Sequence, residues 1–297
     1  GIRVFFPKET FMLQRPIRTI ALVGCSDGLA HPNPAISWVC RQLEAASLFI
    51  RIFPSIWESQ SGRSAPAAAR AADLTNAFLD SSIDAIFDGS GGDLANGVLP
   101  YLQLDLLRQH AKPFFGYSDL SVLLNVLGDA GIPTYHFQIR MLYANPAQLP
   151  AFLHALQGDA SDWMQISYRF LQGTSLTGTI AGGNIRCVLK LIGTPWQPDF
   201  RNRILFLESR SGGLNRMETM LHQYQQIGAF QQCKGVLLGT FTEIQKLGQV
   251  EQLYQIIQQL VPDRPIVCTQ QLGHAASSKC LAYQTVHTFS QENQTAL

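Results

Sequence analysis

Ser118 sits where an apolar run stops. Phe114-Phe115-Gly116-Tyr117 leads into Ser118-Asp119, and Leu120-Ser-Val-Leu-Leu-Asn-Val-Leu follows, a pattern of strand, tight turn and helix with a serine at the turn. A hydroxyl there is held clear of the sheet at a helix N-terminus, where N–H groups can receive negative charge on a substrate oxygen. A nucleophile needs that placement; an ordinary N-cap serine has it too. Gly116 permits a sharp turn with close backbone approach, and Gly89-Ser90-Gly91-Gly92 ends the preceding strand with further N–H groups that no side chain covers. The second glycine of the Gly-x-Ser-x-Gly elbow is missing, so the segment is not that motif.

Two more residues complete a possible acid–base set. His274, in Gln271-Leu-Gly-His-Ala-Ala-Ser-Ser, follows a strand and lies in a small-residue loop, which suits a base as well as it suits a surface histidine. Glu208 closes the apolar strand Ile204-Leu-Phe-Leu, where an acid either emerges into solvent or points into a site. In the second case it can orient a histidine and stabilise its imidazolium.

The elements that would position these residues alternate between strand and helix. Apolar runs at 19–24, 48–53, 83–88 and 112–117 are separated by helical patterns at 34–46 and 66–79, a short one near Leu104, and the helix after Ser118. Such alternation implies crossovers and a mostly parallel sheet, with ligands at the carboxyl ends of its strands. Residues 1–150 are expected to form this N-terminal α/β domain and 151–173, with Pro150 at its edge, to connect it to the next. A smaller C-terminal α/β domain is expected over 174–297. It contains a turn and helix over 182–193, strands at 204–208, 235–239 and 266–268, helices over 214–228 and 250–261, and a last hydrophobic run near Leu281. Two lobes sharing one cleft, the active site within it, is the expected architecture.

Composition excludes several alternatives. Twenty-two basic and 21 acidic residues give a net charge of +1 with no basic cluster, so a nucleic-acid partner is not expected. No apolar run is long enough to span a membrane, and Pro7, Lys8 and Glu9 stand where a signal peptide needs an apolar centre, so the expected address is cytoplasmic. Six scattered cysteines without a C-x-x-C pair suit buried reduced thiols, and the seven histidines show no metal-ligand spacing; no metal is expected.

Several phrases in one order carry more than any of them singly. Arg70-Ala-Ala-Asp-Leu-Thr-Asn-Ala-Phe, Ile83-Asp-Ala-Ile-Phe-Asp-Gly-Ser-Gly-Gly, Gly116-Tyr-Ser-Asp, Gly182-Gly-Asn-Ile with Leu-Ile-Gly-Thr-Pro-Trp, Ile204-Leu-Phe-Leu-Glu, Gly235-Val-Leu-Leu-Gly and Gly273-His resemble the LD-carboxypeptidase family of serine peptidases, which includes the microcin C immunity peptidases. The resemblance spans about residues 18–288. It implies a triad of Ser118 as nucleophile, His274 as base and then acid, and Glu208 holding the imidazole. It further implies an oxyanion hole from the N–H of Asp119 and of a glycine in Gly91-Gly92, with Gly92 favoured. Family members are similar in cleaving the amide between the L-centre of a diamino acid and a terminal D-alanine in muropeptides, and in being cytoplasmic, cofactor-free and commonly homodimeric.

The chain departs from the family's usual phrasing in three places: Gly24-Cys-Ser-Asp-Gly replaces a Ser/Pro-rich phrase, His136-Phe-Gln-Ile-Arg a glycine-containing one, and Ser278-Lys-Cys-Leu-Ala-Tyr-Gln one with Pro and Gly. Recognition of a terminal carboxylate calls for an arginine or a helix N-terminus, and Arg140 and Arg186 lie beside the relevant segments, each equally readable as a surface charge. Asn184 reads as an N-cap or as a polar contact to substrate. The immunity-peptidase alternative needs an aromatic platform for a base, for which Tyr143 and Trp163 are the candidates, each also readable as core. A binding protein that kept the fold and lost turnover is the third reading.

Overall fold

The computed structural model describes residues 16–294. The reading of the first fourteen residues lies outside that range. The described chain divides into two compact units, one running to Trp163 and one from Met164 onward.

In the first unit, β1 (Thr19–Val23), α1 (Pro34–Ala45), β2 (Phe49–Ile52), α2 (Ala67–Leu79), β3 (Ala85–Asp88), α3 (Leu104–Gln109), β4 (Phe114–Gly116), α4 (Ser121–Asp129) and β5 (Thr134–His136) follow one another in the expected alternation. Its five strands lie in the order β5-β4-β3-β1-β2, each neighbour parallel to the next. The fully buried β3 and β4, and β1 buried from Ile20 onward, explain why they read as unbroken apolar runs. β2 is the edge strand, and its Phe49 is 70% exposed. The chain moves from β1 outward to β2, then back across β1 to β3, and the loops after β1 and β3 meet at the carboxyl edge, where the Asp27 N–H donates to the Gly91 carbonyl. Asn33 caps α1, its side chain accepting from the Ile36 N–H, and Pro34 opens the helix.

The boundary between the two units falls within the segment 151–173, and that segment carries regular structure. Its first part, the helix Leu149–Leu156 and the turn at Ser161–Met164, brings Phe152 and Trp163 into the aromatic core of the first unit. Trp163 packs 5.7 Å from Phe115, 4.9 Å from Phe137 and 5.2 Å from Phe152, centroid to centroid. At 1% exposure it is core and offers no platform for a ligand. The later part contains β6 (Arg169–Gln172), an edge strand of the second sheet.

That sheet also contains β7 (Ser175–Asn184), β8 (Arg203–Ser209), β9 (Gly235–Phe241) and β10 (Ile266–Cys268), with β12 (His287–Ser290) at the other edge; the short β11 (Leu281–Ala282) is not part of it. The order is β12-β7-β8-β9-β10-β6, parallel through β7 to β10 and antiparallel at both edges. One expectation is corrected. Gly182, Gly183 and Asn184 do not turn into a long helix but finish β7, and the helix that follows is only Ile185–Val188. Gly182, at φ +109°, passes so close to β8 that a Cβ would meet the Phe206 carbonyl oxygen at 2.2 Å. A pair of glycines that reads as a turn is here the means by which two strands approach.

Among the described residues no helix is long and apolar enough to cross a membrane, and none of the six cysteines forms a disulfide.

Candidate active site

Ser118 stands at the start of a 3-10 turn, Ser118–Leu120, that runs directly into α4. Its φ is +57°, one of only three non-glycine residues in the left-handed region among those described. Without local compensation that conformation costs about 1–3 kcal/mol, and such outliers cluster at functional sites. The turn is tight because Gly116 has no side chain: a Cβ there would meet Leu120 Cβ at 2.7 Å. Ser118 is half-buried, as a hydroxyl at a sheet's carboxyl edge should be.

Beneath the serine, the wholly buried carboxylate of Asp119 gathers the neighbouring loops. Its Oδ2 accepts from Ser26 Oγ at 2.6 Å, in the loop after β1, and from the Ala95 N–H at 2.8 Å, in the segment after β3. Asp88, at the end of β3, does similar work: it accepts from the Cys25 N–H at 2.7 Å and from the Ser90 N–H and Oγ at 2.8 and 2.6 Å. Burial pushes the Asp88 carboxyl above its ordinary range despite these donors. Burial, reinforced by the Asp88 charge, also raises the Cys25 thiol well above its usual value. Arg70, 5% exposed, donates to the Leu94 carbonyl at 3.0 Å and to that of Cys25.

The Gly89–Gly92 loop is fixed by its carbonyls. Arg140 Nε donates to Gly89 O at 2.8 Å, Gln138 Nε2 to Ser90 O at 3.1 Å, and the Asp27 N–H to Gly91 O at 3.3 Å. Gly92, at φ +125°, packs so closely on Asp27 that a Cβ would meet its Oδ2 at 2.0 Å, whereas a Cβ on Gly91 would meet nothing within 4 Å. Arg140 therefore holds the glycine loop, a role the sequence reading did not give it.

In the second unit the expected acid and base meet. His274 Nδ1 lies 2.7 Å from Glu208 Oε2, with the glutamate side chain wholly buried and that of the histidine 6% exposed. An Nδ1–H given to a carboxylate fixes the tautomer and makes Nε2 the basic nitrogen. Register places Asn184 beside Glu208, and its Nδ2 donates to Glu208 Oε1 at 3.3 Å. The same side chain caps the short helix, Oδ1 accepting from the Arg186 and Cys187 N–H groups at 3.1 Å each, so Asn184 is the N-cap of the sequence reading and also holds Glu208. Arg186 itself is exposed. Before His274, Gly273 has φ +125° and a Cβ there would meet Thr240 Oγ1 at 2.3 Å, so only glycine admits the approach that brings the imidazole to Glu208.

Profiles of the LD-carboxypeptidase N-terminal and C-terminal domains match residues 20–137 and 177–288. The chain belongs to the LD-carboxypeptidase family. Among its relatives are a probable murein peptide carboxypeptidase of Bacillus subtilis strain 168, 24% identical over 70% of this chain and 69% of that protein, and a murein tetrapeptide carboxypeptidase of Pseudomonas aeruginosa, 25% identical over 72% and 75%. A structure of MccF in complex with glutamyl sulfamoyl guanosine shares the fold, with a TM-score of 0.81 at 16% identity over 95% of this chain and 97% of the other.

The three departures from LD-carboxypeptidase phrasing all have structural work. Gly24 lies against Ile56 and the Ser55 carbonyl, where a Cβ would meet the oxygen at 2.5 Å, and Ser26 reaches Asp119. Gln138 and Arg140 hold the glycine loop. Ser278 Oγ donates to Gly273 O at 2.8 Å, Lys279 Nζ to Gln165 O at 2.8 Å, and Tyr283 OH to Gly182 O at 2.8 Å, so this phrase steadies the segment that bears His274.

Among the described residues no three His, Cys, Asp or Glu side chains are grouped to hold a metal. Sequence reasoning missed Ser26, Asp88, Arg70 and Gln138. Asp88 had a signal, since it closes a buried apolar strand as Glu208 does; the others are polar residues in loops whose partners lie far along the chain.

Proposed function

We propose that this member of the family is a serine carboxypeptidase that removes the terminal D-alanine from tetrapeptide muropeptides during cell-wall recycling. The observation that carries the reading is the buried Glu208 carboxylate on His274 Nδ1, an arrangement of acid and base that a mere binding protein does not need. The names of the curated murein peptide carboxypeptidases support the substrate class.

In this reading Ser118 Oγ attacks the carbonyl carbon of the diamino acid's L-centre while His274 Nε2 takes its proton. The oxyanion is received by the N–H groups of Asp119 and Gly92. The tetrahedral intermediate collapses, His274 returns the proton to the leaving amine, and D-alanine departs. The acyl ester on Ser118 is then attacked by water, with His274 again as base and Glu208 stabilising its imidazolium. Arg186 is the candidate contact for the substrate's terminal carboxylate, since Arg140 Nε is committed to the glycine loop. The resemblance supports a cytoplasmic homodimer that needs no cofactor.

A second reading, cleavage of an amide between a peptidyl or aminoacyl group and a modified nucleotide, is favoured by one observation. The Tyr143 ring is 46% exposed beside Trp38, 6.0 Å away, a surface on which a base can stack. Its relative, the microcin C7 self-immunity protein MccF of Escherichia coli, is 21% identical over 69% of this chain.

Incubation of the wild type and of Ser118→Ala with an L-Ala-γ-D-Glu-diamino acid-D-Ala tetrapeptide, with released D-alanine read by mass spectrometry, tests the proposal. Release by the wild type alone is expected. No release from either, with hydrolysis of an aminoacyl sulfamoyl nucleoside, replaces the first reading with the second.

A further inference from the structure

A cavity of about 270 Å³ lies in the C-terminal domain where β10 and β6 meet the helix Val250–Leu260, and the catalytic proposal makes no use of it. Its volume is just below the range typical of small-molecule sites, which suits a ligand of amino-acid size. Cys268 and Tyr254, both nearly inaccessible, line it together with Val250, giving it an apolar surface.

Two opposite charges also line this cavity. The Arg169 guanidinium stands 5.7 Å from the Tyr254 ring centroid, and Glu251 projects from the first turn of the helix. Among the described residues neither side chain forms a hydrogen bond or ion pair, with the other or with any third group. A half-buried guanidinium that faces an aromatic ring but has no carboxylate partner is suited to receive one from a ligand.

We propose that this cavity binds a free α-amino acid as its zwitterion, the carboxylate on Arg169, the ammonium on Glu251 and the side chain over Tyr254 and Cys268. Charges of both signs, unpaired among the described residues, around an apolar surface match a zwitterion better than a simple anion or cation. The site also has a route to His274. The wall of the cavity continues through Thr269 to Gln271, whose Oε1 accepts from the Ser167 N–H at 2.7 Å and whose carbonyl accepts from the Lys279 N–H at 2.7 Å. Gln271 lies three residues before His274 in the same loop. This inference goes beyond the proposed peptidase activity and stands without it.

The test is calorimetric titration of the full chain with D-alanine and with L-phenylalanine, each beside its N-acetyl and carboxamide derivatives. Saturable binding of at least one free amino acid is expected, weakened at least about tenfold by blocking either end and by Arg169→Gln or Glu251→Gln. Melting temperatures confirm that the variants fold, and Glu251→Gln alters an exposed side chain, so it remains informative if Arg169→Gln is unstable. Amino-acid binding that Glu251→Gln leaves intact locates the ligand elsewhere and overturns the assignment. The absence of saturable binding of either amino acid at millimolar concentration overturns it as well.

Discussion

Ser26 Oγ donates to Asp119 Oδ2 at 2.6 Å across 93 residues of sequence, tying the loop after β1 to the residue that follows the candidate nucleophile. The N–H of Asp119 is the proposed oxyanion donor, so the side chain holds in place the backbone that would do the chemistry. Ser26→Ala removes a hydrogen bond to a buried carboxylate and is expected to cost about 1–3 kcal/mol of stability in urea unfolding. Turnover should fall through kcat with little change in KM, because the misplaced group acts in the transition state. A variant with wild-type kcat would show that the clasp is structural only.

Ser118 holds its left-handed backbone at a cost that glycine would not incur. Ser118→Gly is therefore expected to melt above Ser118→Ala, by an amount corresponding to about 1 kcal/mol, while both lose turnover. Equal melting temperatures would mean that the +57° φ is not strained in this setting.

Glu208→Gln preserves the shape of the acid and removes its charge. The amide can present its N–H₂ to the imidazole, which favours the wrong tautomer, and kcat is expected to drop by about 10⁴, as when the acid of other serine triads is neutralised. The partner tether is testable separately: Asn184→Ala removes the donor to Glu208 Oε1 and the cap of the Ile185–Val188 helix, with an expected stability loss of about 0.5–2 kcal/mol. A Glu208→Gln enzyme within tenfold of wild type would remove the triad from the mechanism.

The strands and long helices were legible because burial writes itself into sequence: β1, β3, β4 and β8 are apolar runs, and their periodicity changes where helices begin. The pairing of Glu208 with His274 was legible because each follows or ends a strand, and parallel strands bring their carboxyl ends to one edge. Gly182-Gly183 misled for a physical reason. Glycine serves turns and close strand approaches alike, and only the position of β8 decides between them. Arg140 was read as a possible substrate contact, but the direction of its guanidinium, toward the Gly89 carbonyl, depends on a tertiary contact 51 residues away.

His287 gives a pH dependence of stability that is independent of catalysis. Its buried ring pairs through Nε2 with the Ala282 carbonyl at 2.6 Å, and loss of hydration drives its pKa from 6.5 down to about 4. Between these two values the unfolded chain binds the proton that the folded one refuses, so stability rises with pH across that window. Above the unfolded value the histidine is neutral in both states and costs nothing. As the pH falls through the window the penalty grows, reaching about 3 kcal/mol at its lower end. Urea unfolding of the wild type and of His287→Asn across this range should show the slope of stability against pH reduced in the variant by close to one proton. Parallel slopes would mean that His287 is protonated in the folded protein as readily as in the unfolded chain.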